Sequence, residues 1–347
     1  MNEQRITLYF IITVTLLILT GLTSIIIGSV SMPMGTILLV ILSKIVPHHW
    51  VAHLPISESQ VVIIWLIRIP RVIVAALVGA ALAVAGAQMQ GLFQNPLASP
   101  DIVATSSGSA LGAVIALATG LANNSLFYVP MFAFLGALFS LLIVYGFATQ
   151  QRMASIATLL LAGIALNALI GAMTSFLITL AWVQHEVARE IIFWLMGGLE
   201  SRTWNHVWIV LPGTLLGIII ALWYTRELDI LLMGTDTAYS LGVEVEPVKR
   251  MILMSSALLT GTAVAVSGIV GFVGLIIPHI VRLLIGPKHS YLIPASALMG
   301  AIFLILADLL ARTLHRPEEI RLGIITAIVG APFFLYLLLQ ERQKIGY

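Results

Sequence analysis

The chain has 347 residues, of which 60% are hydrophobic and only 9% charged, with a mean hydropathy of +1.07 and a net charge of +2. That composition lies far outside the range of soluble globular domains, and so small a charge surplus excludes the concentrated basic surface of a nucleic-acid binder. The absence of cysteine excludes disulfides, thiolate catalysis and Cys-ligated metals.

A helix needs about 20 mostly apolar residues to cross roughly 30 Å of hydrocarbon, with its backbone polar groups satisfied inside the segment. The opening MNEQR and the apolar run from Ile6 to about Val30 exceed the core of a signal peptide and read as the first such span. Further spans are expected at 69–93, 106–122, 129–148 and 156–181, then at 207–224, 250–268, 271–286, 291–308 and 322–340. Only the Gly-rich GIVGFVG divides the seventh from the eighth. Ten spans, beginning with the first over 7–30, put both termini on one side. No polar segment is long enough for a soluble domain, so residues 1–347 form a single transmembrane unit, an all-α polytopic membrane protein.

Charge patterning orients this unit weakly. With a cytoplasmic N-terminus, the inner loops carry Arg5, Arg152, Arg226, Lys249, Arg250, Arg282, Lys288, Arg342 and Lys344. The outer ones carry Lys44, Arg68, Arg71, Arg189, Arg202, Arg312, Arg316 and Arg321. The inner surplus is slight, against the usual positive-inside bias. An outer face so rich in Arg suits contact with the carboxylates of an acidic protein, whereas Arg residues snorkelling at helix ends explain any one of them as well.

Two further patterns are structural. Ala83-Val84-Ala85-Gly86 followed by Pro96 echoes Ala265-Val266-Ser267-Gly268 followed by Pro278, in spans expected to run in opposite directions, which suits an inverted repeat. Small residues four apart, at Gly79 and Ala83, Gly108 and Gly112, and Gly213 and Gly217, mark close helix contacts. Enzymatic signatures are missing: there is no phosphate-binding loop, no HExxH and no GxSxG. His48, His49 and His53 could touch a metal or haem, but they read more simply as a solvated loop. Asp308 is the best intramembrane acid, and Arg312 one turn later offers it a helix-end ion pair.

The remaining motifs carry a resemblance. IRIPR at 67–71, VGAALAVAGAQMQGLFQNPLASPDIV, FWLMGG at 193–198 and TAYSLGV at 237–243 occur in this order. SGIVGFVGLIIPHIVRLLIG at 267–286, ADLLAR at 307–312 and GIITAIVGAPFFLYLL at 323–338 follow. Over nearly its whole length the chain resembles the FecCD-type permeases of ATP-binding-cassette (ABC) importers, which carry vitamin B12, haem and ferric siderophores. The resemblance implies the type II importer fold of about ten helices in the cytoplasmic membrane. It implies a second permease subunit, identical or paralogous, two cytoplasmic ATPases and an extracytoplasmic binding protein as partners, surrounding lipid, and no cofactor.

By the same resemblance, Arg68, Arg71 and Arg312 dock the binding protein, and Ala238, Leu241 and Gly242 sit in the segment that couples to the ATPases. The turn holding Asn95, Pro96 and Leu97 is then the cytoplasmic gate, with a second layer at Ser155, Ile156 and Ala157. Pro96 and Pro100 break the helix there, Asn95 is placed to satisfy freed carbonyls, and Leu97 to plug the path. Arg321 departs from the family pattern, which has proline at that position, and Thr105 replaces a small residue. A ferric siderophore is the first expectation for cargo, then haem, then cobalamin. A gradient-driven transporter would need buried carboxylates, which are scarce in the spans, and a receptor would leave the gate and coupling motifs without a purpose.

Overall fold

The computed structural model describes residues 3–28, 32–46, 56–150 and 153–345, so the His48, His49 and His53 loop lies outside the described residues. Helices occupy every expected span. They are α1 (Glu3–Ile26), α2 (Met34–Ile45), α3 (Glu58–Leu92), α4 (Thr105–Ala118), α5 (Tyr128–Ala148), α6 (Ile156–Ala181) and α7 (His185–Leu195). There follow α8 (Trp204–Trp223), α9 (Thr225–Leu231), α10 (Thr235–Ser240), α11 (Val245–Ser267), α12 (Val273–Ile285), α13 (His289–Ala311) and α14 (Leu322–Ile345). Among the described residues, seven are long and apolar enough to cross a membrane: α1, α3, α5, α6, α8, α11 and α13.

The expected spans at 106–122 and 271–286 are shorter than the sequence suggests. With 14 and 13 residues, α4 and α12 rise only about 20 Å, less than the hydrocarbon thickness. Irregular backbone next to such short helices survives at membrane depth only when protein covers it. The chain supplies that cover, because α4 packs on α5 and α6, and α12 on α3 and α13. The division of 250–286 falls where the backbone turns left-handed at Gly268 (φ 66°) and Phe272 (φ 67°).

Helix α3 is the axis of the subunit, packed by α8, α11, α12 and α13. Its small residues make this possible. A β-carbon on Gly79 would lie 2.2 Å from the Gly300 carbonyl oxygen, and one on Gly300 would meet Gly79 and Ala83, so α3 and α13 touch backbone to backbone. Without a hydrophobic drive between helices in lipid, this contact surface is what holds them together. The other two small-residue pairs serve the same end, Gly108 and Gly112 against α5, and Gly213 and Gly217 against Thr262 and Leu259 of α11. One polar pair ties three helices in this interior: Gln88 Nε2 donates to Ser255 Oγ at 3.0 Å, and Ser255 Oγ to the Gly217 carbonyl at 3.0 Å.

One local irregularity positions a functional segment. Pro70 lacks the N–H that would bond the carbonyl four residues back. Helix α3 absorbs the loss with a π-helical stretch, Val62–Arg68, in which the Ile69 N–H reaches the Ile64 carbonyl. Arg68 and Arg71 therefore emerge at a height and angle that a regular helix would not give them.

Candidate functional site

Two ends of α3 carry the residues singled out by sequence. At the end of the π-helical stretch in its first half lies a buried charge cluster. Arg68 Nη1 donates to the Ile25 and Ile26 carbonyls at 2.6 and 3.0 Å, and Arg312 donates to the carbonyl and hydroxyl of Ser24. The last-turn carbonyls of α1 have no partners within the helix, and its dipole favours a cation there. Arg71 is gripped by two carboxylates: Nε and Nη2 reach Asp308 at 3.0 and 2.8 Å, while Nη1 and Nη2 reach Glu319 at 2.9 and 2.7 Å.

Arg68, Arg71 and Arg312 are thus 5%, 7% and 8% exposed, with their side chains engaged inside the chain. The main partner of Asp308 is Arg71, 237 positions away, while its helical neighbour Arg312 stands off at 3.6 Å. Beside the buried cluster lies an exposed one. Arg321 Nη1 bonds Glu200 Oε2 at 2.9 Å and its guanidinium sits 4.2 Å from the Phe193 ring centroid, with Arg189 at 5.4 Å. These residues, with His185 and Arg202, line a cavity of about 580 Å³. Burial, and then the positive charge of Arg71, push the Arg202 guanidinium down to about 10, which leaves it charged at neutral pH.

The sequence missed helix α7, which forms one wall of this cavity. Its signal was present in HEVAREIIFWL, where Ala188 and Ile191 face inward and Glu186, Arg189 and Glu190 outward.

The other end of α3 explains GLFQNPLASPD. The helix stops in a Schellman turn: the Gln94 N–H bonds the Gly91 carbonyl at 3.3 Å and the Asn95 N–H bonds the Gln90 carbonyl at 3.2 Å. Gln94 occupies the left-handed position (φ 49°) that glycine normally fills. Such a residue costs roughly 1–2 kcal/mol, a strain that collects at functional segments. The freed carbonyls are thus met by backbone amides, and the Asn95 side chain does something else. Its oxygen accepts from the Leu97 N–H at 2.9 Å, closing a turn with Pro96 at its first inner position and the Ala98 N–H on the Asn95 carbonyl at 3.1 Å. Gln94 and Asn95 are exposed and Leu97 half-buried. Pro100 then opens a short 3-10 turn, Pro100–Val103, pinned to α6 by a bond from Asn167 Nδ2 to the Asp101 carbonyl at 2.9 Å. Thr105, the departure noted in the sequence, seals this turn by donating to the Pro100 carbonyl at 2.9 Å.

Ser155, Ile156 and Ala157 begin α6 and line a cavity of about 590 Å³ together with Thr235, Glu246 and Lys249. Thr235 opens α10, whose end is another Schellman turn. The Gly242 N–H bonds the Tyr239 carbonyl and the Val243 N–H the Ala238 carbonyl, both at 3.0 Å. Glycine is required at 242 by φ 79°. Ala238 is buried beneath the turn, whereas Tyr239, Leu241 and Met233 expose 44%, 59% and 68% of their surfaces. The geometry brings Ser155, Ile156 and Ala157 to one cavity with Thr235 at the start of α10, and leaves exposed apolar side chains around that helix.

Comparison with known proteins agrees with this architecture. The model of the FecCD transport family matches residues 16–340. The cobalamin import system permease protein BtuC of Halobacterium salinarum is 45% identical over 83% of this chain and 76% of its own length. The hemin transport system permease protein HmuU of Yersinia pestis is 42% identical over 81% of this chain and 84% of its own. A solved metal-chelate type ABC transporter in an inward-facing conformation superposes with a TM-score of 0.83 at 33% identity, covering 96% of this chain and 99% of that one.

Proposed function

We propose, from the premise that the chain belongs to the FecCD transport family, that this ABC importer permease carries a ferric siderophore across the cytoplasmic membrane. The observation that carries the reading is the family match from residue 16 to 340, within which every functional segment described above falls. Relatives named for Fe(3+)-citrate and iron(3+)-hydroxamate import, at 40% and 35% identity, favour a ferric chelate as cargo. Cobalamin is the second reading, favoured by the 45% identity to an archaeal cobalamin permease.

In this reading the Arg71 end faces outward and the Asn95 end the cytoplasm, where both termini lie. Two permease subunits enclose a path that the Asn95-Pro96-Leu97 turn closes, with Ser155, Ile156 and Ala157 forming a second layer. The α10 segment, through Ala238, Leu241 and Gly242, seats on an ATPase subunit that performs the hydrolysis, so the permease itself needs no catalytic group. A binding protein docks at the outer mouth. Arg68, Arg71 and Arg312 hold that mouth in shape from within, and the exposed Arg189 and Glu200, with the half-buried Arg321, are the charges it touches. The permease supplies a path whose openings are biased by partners with different affinities for its two states.

The test is uptake by proteoliposomes holding the permease with its partner ATPase and binding protein. ATP-dependent accumulation of radiolabelled ferrichrome or ferric citrate, but not of hemin or cyanocobalamin, is expected. Accumulation of cyanocobalamin alone would move the cargo to the second reading. Uptake that ignores ATP and follows a proton gradient would contradict the importer mechanism.

A further inference from the structure

Between the α10 segment and the Asn95 turn stands the short helix α9, which packs on α3, α10 and α13. It holds the end of α3 at two heights. At the upper contact, Asp229 of α9 accepts from the backbone N–H of His289 at 2.8 Å and faces His289 Nδ1 at 2.7 Å. The His289 side chain is wholly buried, and its other face presses on α3, where a β-carbon on Gly91 would lie 2.5 Å from Nε2 and 3.0 Å from Leu228 of α9. At the lower contact, Gln94 Nε2 donates to the carbonyl of Leu231, the last residue of α9, at 2.5 Å. The Asp229 bond places the imidazole proton on Nδ1, and leaves Nε2 against Gly91 with no hydrogen-bond partner.

A simple staple between α9 and α13 would need only the carboxylate and the helix N-terminus. The arrangement adds two grips on the end of α3, one at Gly91 and one at the left-handed Gln94 that sets where the Asn95 turn points. We infer that Asp229, His289 and Gln94 are positioning residues that transmit a displacement of the α10 segment to the turn at Asn95–Leu97, an inference that rests on the permease reading above. A shift of α9 relative to α13 loosens His289 from Gly91 and pulls Gln94 together with Leu231. A close-packed interior passes such a shift on as a discrete rearrangement.

The chain contains no cysteine, so one reporter thiol is unambiguous. Ser99→Cys, a near-isosteric change just past the turn, would be introduced into the full permease bound to its ATPase in lipid nanodiscs. The rate of N-ethylmaleimide labelling is compared with and without ATP plus vanadate. In the reporter background the rate should change about fivefold or more, the low end of ordinary coupling between sites. Asp229→Ala and Gln94→Ala should each shrink the response below about twofold while the ATPase still co-purifies. Asp229→Asn, which keeps the acceptor, should retain it, whereas His289→Asn, which keeps an Nδ1-type donor but loses the ring face against Gly91, should shrink it. Full responses in both alanine variants would overturn the linkage, as would loss of ATPase binding in Asp229→Ala, which would mark the pair as support for the docking surface. Should Asp229→Ala fail to insert, Gln94→Ala, altered at an exposed side chain, decides alone. A reporter background that ignores nucleotide would instead sink the permease reading on which the linkage stands.

Discussion

Arg71→Ala is expected to cost the subunit roughly 3–5 kcal/mol, because it strips a buried carboxylate of its main partner. Asp308 is 1% exposed and would keep only Arg312, whose Nε stands 3.6 Å away. Taking a carboxylate out of water costs several kcal/mol even after relaxation, and bidentate pairing is what offsets it here. At about 2–4 °C per kcal/mol, the detergent-solubilised protein should lose on the order of 10 °C of thermal stability by size-exclusion assay. Asp308→Ala should behave similarly, and the double variant should lose clearly less than the sum, since the two residues share one interaction. This series also separates two roles. If Arg71 acts only as a contact for the binding protein, its substitution weakens docking and leaves thermal stability unchanged. The burial of Arg71 predicts the opposite order of effects, with stability falling first.

Gly86→Ala should be the most disruptive single methyl addition along α3. A β-carbon at that site would lie 1.7 Å from the Gly274 carbonyl oxygen, where backbone faces backbone and no side chain can rotate away. Overpacking of this kind costs about 1–3 kcal/mol, and more where backbone must move. The affected contact joins α3 to the first turn of α12, just after the left-handed Phe272, so the expected damage extends to the short helix that depends on this cover. Gly146→Ala is the control, with nothing within 4 Å of the added carbon, and should leave stability unchanged. Equal losses in the two variants would show that α3 and α12 do not approach as closely in the membrane as they do here.

How much of this was legible in the sequence differs by element. Helix α6 has the bounds its apolar run dictates, residues 156–181, because nothing competes with length and hydropathy there. Helix α2 was missed because its 12 residues fall well short of a span. The upstream extension of α3 to Glu58 was missed because Pro70 reads as a helix start, whereas a π-helical stretch lets the helix run through it. At the site, composition marked the polar break after α3, whereas Gly242 was singled out only by the resemblance and its positive φ came with the structure. The partner of Asp308 could not be read, since sequence offers only the neighbour one turn away and the stronger partner arrives through folding. Asn95 was assigned the wrong hydrogen bond for a related reason. Freed carbonyls at a helix end are met by backbone amides when the chain turns left-handed, and nothing in the residue type of Gln94 announces that it will.

The central claim is that the turn at Asn95-Pro96-Leu97 faces a path shared by two subunits. In a chain without cysteine, Leu97→Cys gives one thiol per subunit, and mild oxidation in native membranes reads out its neighbour. The account predicts a disulfide-linked permease pair whose yield changes when the ATPase binds nucleotide. A thiol that never cross-links, and that reacts only with a probe dissolved in the lipid, would place the turn against the bilayer and contradict it.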